Sequence, residues 1–457
     1  LLVFAAVLWC GTLAASHARA DEPEGIKRRP NVLFLFTDDQ RSDTIGALGN
    51  PHIKTPQLDS LVDSAFVFRN IYCMGSTMGA VCNPSRHMLH SGMSLYRYDP
   101  KKKEGTFADT MNLAGYETYH HSKRGNTPHA YHTVYDHSQY LNDQAERTSG
   151  HHGKTIADQA VKFLHDREGS KPFFMYLGFS GPHDPRVAAP RWMALYERDA
   201  IPLPVNFQPY HPFNNGEMLV RDERLAPWPR TEAVVRKHLH DYYGCISSID
   251  HQIGRILAEL RASGEFDNTL IVFSSDHGLA MGSHGLFGKQ SLYEHSMKSP
   301  LFFSGPGIPK GESPALGYLL DIYPTVCDLI GVSVPEGLDG RSLAPVIRGE
   351  TQQGRDAIFL AYRDVMRGVR GGDWKLIRYP QVNVTQLFNL KDDPDEMRNL
   401  AQQPEYKLRV ARMMTLLAQL QEQFDDKAPL EVANPRPAEV DPETFFNQPV
   451  PAKKRRQ

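Results

Sequence analysis

The sequence predicts an α/β protein: a large, mostly parallel sheet, followed by a small C-terminal α+β region with an antiparallel sheet. Three observations lead there. Asn31–Phe36 (NVLFLF), Pro172–Ser180 (PFFMYLGFS) and Thr269–Ser274 (TLIVFS) are continuous apolar runs of strand length, as expected of strands buried on both faces. Helical patterns separate them. After about Gly349 the pattern changes to short strand-like segments divided by turns. The 457 residues are 40% hydrophobic and 23% charged, enough to bury a large core and unlike a disordered, collagenous or coiled-coil chain. Fifty-one basic and 53 acidic side chains leave a net charge of -2, which argues against a nucleic-acid partner.

Taken in order, Leu1–Ala15 is an apolar run too short to span a membrane. Ala18-Arg19-Ala20 has the form of a signal-peptidase site. Residues 1–20 are therefore read as a signal peptide cut at Ala20/Asp21, with the protein exported to the periplasm or extracellular space and not stably inserted in a membrane. Pro56–Ala65 reads as a helix with Leu58, Leu61, Val62 and Ala65 on one face. Tyr116–His121 reads as a strand ending before Ser122 and Lys123. Thr231–Ala262 reads as a long helix with an apolar stripe from Val235 to Leu260, closed by Gly264. Domain boundaries follow: 21–350 for a catalytic domain and 351–457 for a C-terminal subdomain. In the latter, strands are expected at Ala357–Leu360, Met366–Arg370, Trp374–Arg378 and Thr385–Asn389. A helix near Tyr406–Asp425 and a mobile, Pro-rich basic tail complete it.

Several buried strands end in polar or charged residues. Asp38, Asp39, Lys123, His183, Asp276 and His277 all fall just beyond a strand, and in open α/β sheets the ligand site lies beyond the carboxyl ends of the strands. Each alone could be a turn or cap residue; together they predict a site. Seven of the 20 histidines lie between His120 and His152, and this cluster and Arg186 are candidate substrate-side residues. Past Cys10, Cys73, Cys82, Cys245 and Cys327 are too few for a disulfide framework, although Cys73 and Cys82 are close enough in sequence to pair. Cys82 opens the run Cys-Asn-Pro-Ser-Arg-His-Met-Leu-His-Ser-Gly. Pro84 suits a first helical turn, which places Cys82 at the positive end of a helix with Arg86 one turn on. On spacing alone Cys82 is a nucleophile, a metal ligand or a core residue.

Cys82-x-Pro84-Ser85-Arg86, closed by Ser91-Gly92, resembles the signature of type I sulfatases. So do Asn31–Gln40, Ala114-Gly115-Tyr116-x-Thr118 leading to Lys123, and Gly181-Pro182-His183-x-Pro185. Ser275–Gly278, Gly288-Lys289 and Tyr293-Glu294 resemble the family's late metal and sulfate block. Leu387–Leu390 with Asp393-Pro394-x-Glu396-x-x-Asn399-Leu400 resembles its C-terminal domain. The blocks stand in family order across roughly residues 30–400.

The resemblance implies an alkaline-phosphatase-like sandwich and the hydrolysis of a sulfate ester. It implies that a maturase oxidises Cys82 to Cα-formylglycine. It also implies one Ca²⁺ (or Mg²⁺) held by Asp38, Asp39, Asp276, His277 and the oxygen of modified Cys82. Hard oxygen donors suit those ions better than zinc. The formylglycine hydrate attacks sulfur, Arg86, Lys123 and Lys289 offset charge on the sulfuryl oxygens, and His183 protonates the departing alcohol. A sulfated carbohydrate, met outside the cell, is the expected substrate. One departure is clear: the family often carries Lys-x-His where this chain has Lys123-Arg124-Gly125, and His120 or His121 is a candidate replacement. A phosphodiesterase or phosphonate monoester hydrolase of the same superfamily, or an inactive sugar-binding homologue, is the alternative reading.

Overall fold

The computed structural model describes residues 29–124, 129–169 and 171–446. The signal-peptide reading, the glycine that stands in for the family histidine and the basic tail lie outside them. Nine strands fall in the first part of the chain: β1 Asn31–Asp38, β2 Phe66–Tyr72, β3 Gly75–Ser76, β4 Glu117–Lys123, β5 His137–Leu141, β6 Phe173–Pro182, β7 Thr269–Ser275, β8 Lys298–Ser304 and β9 Gly311–Tyr318. Eight of them form one sheet in the order β5-β4-β6-β1-β7-β8-β2-β9. Neighbours are parallel except where β8 runs against β7 and β2, so the expectation of a mostly parallel sheet holds.

The central strand β1 is buried on both faces. Val32, Phe34 and Phe36 join one core, while Leu33 and Leu35 join the other. The second core lies under helices Pro56–Val62, Lys154–Asp166 and Glu232–Ala262. The first lies under helices Cys82–Ser91, Phe107–Leu113 and Ile322–Leu329 and extends into the smaller sheet. The 31-residue helix matches its predicted stripe from Val235 to Leu260. Thr231 caps its start, accepting from the Val234 amide, and Gly264 follows its end at a φ of 72°.

Strands β10 Ala357–Tyr362, β11 Met366–Gly371, β12 Trp374–Tyr379 and β13 Val384–Asn389 form the antiparallel ladder predicted for the C-terminal region. The two-residue β3 from the first part of the chain extends this sheet in parallel with β10. Gly75 is required there, because a Cβ would collide with the Ala361 carbonyl. Helix Lys407–Gln423 covers the sheet.

The expected end of β4 needs correction. β4 continues through Ser122 and Lys123 instead of stopping at His121, because both residues pair with β5. Strands β2, β8 and β9, at the opposite end of the sheet from β5, lack the uninterrupted apolar pattern that marks the central ones: Arg69 breaks β2, and Lys298 and Pro300 interrupt β8.

Candidate active site

Four adjacent parallel strands, β4, β6, β1 and β7, end at the same level. Their register pairs Asp38 with Pro182 and Thr37 with Ser275. Asp38 closes β1, Lys123 closes β4, His183 follows β6, and Asp276 and His277 follow β7. Helix Cys82–Ser91 points its first turn at this edge, as Pro84 predicts. Ser85 anchors that turn by donating to the Asp276 carbonyl at 2.8 Å. The six strand-end residues and Cys82, which the sequence places far apart, therefore meet.

The Cys82 sulfur lies 3.1 Å from His277 Nε2, 3.1 Å from Lys289 Nζ and 3.5 Å from Asp39 Oδ1. Lys289 Nζ also donates to both Asp39 oxygens, at 2.8 and 3.1 Å. Arg86 is wholly buried beneath the carboxylates, 3.3 Å from Asp38 and 3.4 Å from Asp276, with its guanidinium over Phe36 and a 3.2 Å bond to Tyr176. Gly178 on β6 leaves room for it, since a Cβ there would crowd Ser122 and the guanidinium. Lys123 pairs with Asp38. Asp39 adopts a left-handed φ of 66°; its amide donates to Asp276 at 2.9 Å and its carbonyl accepts from Tyr242 at 2.6 Å.

Burial would raise the Asp38 carboxyl, but Lys123 and Arg86 hold it well below the usual carboxylate range. Asp39 moves up instead: burial leads, Lys289 offsets part of it, and the Asp38 and Asp276 charges add to it. Burial, then the Asp38 charge, pushes the Cys82 thiol well up, so the unmodified side chain is a thiol near neutrality, a weak nucleophile. Lys289 is raised well above its ordinary value because the charges of Asp39, Asp222 and Asp38 outweigh its burial.

The donor set could hold a metal ion. His277 Nδ1 donates to the Gly278 carbonyl at 2.8 Å, which leaves Nε2 bare and turned toward Cys82, Asp39 and Asp276. Asp39, Cys82, Asp276 and His277 offer ligand atoms all within 4.8 Å of one another, and so do Asp38, Asp39, Cys82 and His183. Each set offers two carboxylates, one sulfur and one imidazole.

His183 is the most open of the group, its side chain 13% exposed against 5% or less for Asp38, Asp39, Arg86, Lys123 and Lys289. Its Nε2 lies 3.9 Å from Asp39 Oδ2. Burial, then the Lys289 and Lys123 charges, hold its pKa well below the ordinary histidine value.

Other candidates fall elsewhere. His120 stacks on Tyr176 and packs against His132 and Tyr135, in a histidine–tyrosine cluster behind Arg86. His121 is buried in β4. Arg186 lies over the Tyr242 ring and donates to the Pro182 carbonyl at 3.0 Å. Cys73 and Cys82 are both buried free thiols, so the pairing left open by their spacing is not formed. Glu294, part of the late block of the resemblance, points into the junction between the two sheets, where it meets Tyr72, Arg370 and Lys375. Sequence reasoning missed Arg147, whose Nη1 lies 2.8 Å from His183 Nδ1; nothing in the sequence marks a partner 36 residues away.

Buried anions and cations gathered at the carboxyl ends of parallel strands, beside a metal-competent donor set, define a hydrolase of oxyanion esters. The sulfatase family profile matches residues 30–332, more than half of the chain, and the chain belongs to that family. A second profile, the C-terminal region of N-sulphoglucosamine sulphohydrolase, matches residues 282–423. An N-acetylglucosamine-6-O-sulfatase of Bacteroides thetaiotaomicron is 27% identical over 88% of this chain and 88% of its own length. An arylsulfatase of Clostridium perfringens is 27% identical over 85% of this chain and 94% of its own. A solved protein in complex with its substrate D-glucosamine-2-N,6-O-disulfate superposes with a TM-score of 0.73 at 26% identity, covering 88% of this chain and all of that one. A phosphonate monoester hydrolase of Agrobacterium radiobacter, at 21% identity and a TM-score of 0.73 over 87% of this chain and 96% of its own, shares the fold. Among the described residues no helix is long and apolar enough to cross a membrane.

Proposed function

We propose that this sulfatase removes sulfate from a sulfated carbohydrate outside the cytoplasm, with residues 1–20 as its export signal, 21–350 as catalytic domain and 351–457 as C-terminal subdomain. The observation that carries the site assignment is the position of Cys82. Its sulfur sits at a helix start, within 3.1 Å of both His277 and Lys289, where the carboxylates meet. A buried, protonated thiol is poorly suited to attack there, whereas formylglycine made from Cys82 by a maturase supplies a hydrated aldehyde oxygen as nucleophile. Asp38, Asp39, Asp276 and His277, with that oxygen, would hold one Ca²⁺ (or Mg²⁺), which supplies charge to polarise the sulfate group.

The chain's own residues divide the remaining work. Arg86, fixed between Asp38 and Asp276, holds the carboxylates in place and adds positive charge beneath them. Lys289 and Lys123 reach the same centre and offset charge on the sulfuryl oxygens. His183, at the open side, serves the leaving oxygen. Names of relatives that act on glucosamine sulfates support the choice of a sugar substrate.

Peptide mass spectrometry across residues 82–86, on protein co-expressed with a maturase, tests the reading together with a desulfation screen over sulfated sugars. Aldehyde or hydrate at Cys82 with sulfate release supports it; turnover by a chain whose Cys82 is unmodified overturns it. Elemental analysis should find one calcium or magnesium per chain, and a tightly held zinc pair would contradict the ion assignment.

A further inference from the structure

The histidine loop is braced by a segment the sulfatase chemistry does not use. In helix Asp143–Thr148, Arg147 is buried and fixed by Asp143, with Nη2 donating to the carboxylate at 2.9 Å and Nε to the carbonyl at 3.2 Å. Further along the same segment, the Ala189 amide donates to the Gly150 carbonyl at 2.8 Å and His152 Nε2 donates to the Val187 carbonyl at 2.9 Å. Segment 142–152 is thus bolted along the loop that carries His183, and Arg147 Nη1 reaches His183 Nδ1 at 2.8 Å.

That contact decides which ring nitrogen carries hydrogen. A guanidinium can only donate, so the bond requires a bare Nδ1 and puts the hydrogen on Nε2, the nitrogen facing Asp39. The Asp184 carbonyl lies 2.7 Å from the same Nδ1 and requires the opposite tautomer, because a carbonyl can only accept. The two demands are exclusive. Arg147 has the stronger claim: its bond is charge-assisted, about twice as strong as a neutral one. The Asp184 carboxylate also faces Nδ1, with Oδ1 3.3 Å away, but both of its oxygens already accept from Arg221.

We propose that Arg147 is a positioning residue that keeps Nδ1 of His183 free of hydrogen and so presents Nε2–H to the leaving oxygen as a hydrogen-bond donor. The proposal rests on the reading of His183 as the group that serves the leaving oxygen. It narrows that role: with Nδ1 held bare, His183 acts as a neutral donor. Without Arg147 the Asp184 carbonyl captures Nδ1–H and turns a bare Nε2 toward the leaving oxygen, where two lone pairs repel.

The experiment uses the full chain, matured and metal-loaded, with ¹⁵N-labelled histidine; His183→Ala provides the assignment. The wild type should show the Nε2–H tautomer at His183. R147Q, which replaces the donor-only cation with a neutral amide that can also accept from Nδ1–H, should switch it to Nδ1–H, and R147K, which remains a cationic donor, should keep it. Kinetically, R147Q should lose about 10²-fold on an alkyl sulfate, the low end for a leaving-group catalyst, and far less on nitrophenyl sulfate, with R147K restoring most of the loss. In a His183→Ala background R147Q should cost little more. An Nδ1–H tautomer in the wild type, or an unchanged tautomer in R147Q, overturns the proposal; the wild-type spectrum decides even if a variant fails to fold. A tautomer switch with equal losses on both substrates would uphold the Arg147 assignment and sink the leaving-group role of His183 instead.

Discussion

Two clusters of buried charge can be set side by side. At the strand ends, Asp38, Asp39, Asp276, Arg86, Lys123 and Lys289 surround a sulfur and a bare imidazole nitrogen. At the junction of the two sheets, Lys375 Nζ lies 2.9 Å from Glu294 and 2.8 Å from Glu396, while Arg370 meets Glu294 at 3.2 Å. Glu396 also accepts from the Glu294 amide at 2.7 Å. Both clusters shift pKa values. Burial raises Glu294, yet Lys375 and Arg370 bring it down to about 2, while burial lifts Glu396 to about 7 against Lys375. What differs is the direction of the side chains. Junction charges point at one another and join the two sheets. The strand-end carboxylates point at a common centre beside an open side, where His183 stands. Perturbed ionisation alone therefore does not mark a site; convergence on a shared, reachable point does.

That contrast breaks first at Cys82. Cys82→Ala should reduce sulfate release by about 10⁶-fold, as loss of a nucleophile does, and Cys82→Ser should come close to it. Thermal melts should show both variants folded, because the residue starts a helix and does not fill a core. Full activity of Cys82→Ala in a sulfate-release assay would move the chemistry elsewhere.

His183→Ala comes next, at about 10²–10⁴-fold on an alkyl or sugar sulfate. The loss should shrink on an aryl sulfate, whose leaving group needs no help. Lys289→Ala removes a charge both substrates use and should slow them about equally. Rates for both variants on both substrates test the division of labour, and equal losses for His183→Ala would reduce it to a sulfate-binding residue.

The junction should answer in stability instead. Lys375→Met leaves the buried Glu396 without its ion-pair partner and Glu294 with Arg370 as its nearest cation, and should cost about 3–5 kcal/mol, measured by chemical denaturation. Activity per folded molecule should be unchanged. A specific loss of turnover without loss of stability would mean that the junction takes part in the chemistry.

The smallest effect is a pH dependence. His284 stacks on Tyr293 with ring centroids 4.0 Å apart and donates to the Glu396 carbonyl at 3.0 Å. Burial, partly offset by that bond, lowers its pKa to about 4, against an unfolded value near 6.5. Between those values the unfolded chain binds the proton and the folded one does not, so stability contributed at higher pH is lost as pH falls from about 6.5 to about 4. His284→Phe should cost about 1 kcal/mol at pH 7.5 for the lost bond. It should then lose less than the wild type on acidification, by up to about 1.4 kcal/mol per pH unit. Parallel denaturation curves for the two proteins across this range would show that His284 does not titrate on unfolding.

The chain by itself determined the central strands, the long helix and most of the charges at the strand ends. An apolar run buried on both faces leaves an unbroken pattern, and a polar residue immediately after it can only stand at the sheet's edge. The Cys82 segment was legible for a similar local reason: Pro84 and the spacing to Arg86 define one helix turn. Tertiary structure decided what depends on neighbours distant in the chain. β8 runs against its neighbours, and β3 leaves its own part of the chain to extend the smaller sheet, because pairing partners are chosen by packing and not by local pattern. Tyr293-Glu294 follows the site lysine by four residues, yet the chain turns it into the junction. Arg147 meets His183 through a contact that no periodicity encodes, since a hydrogen bond between side chains needs only proximity in space.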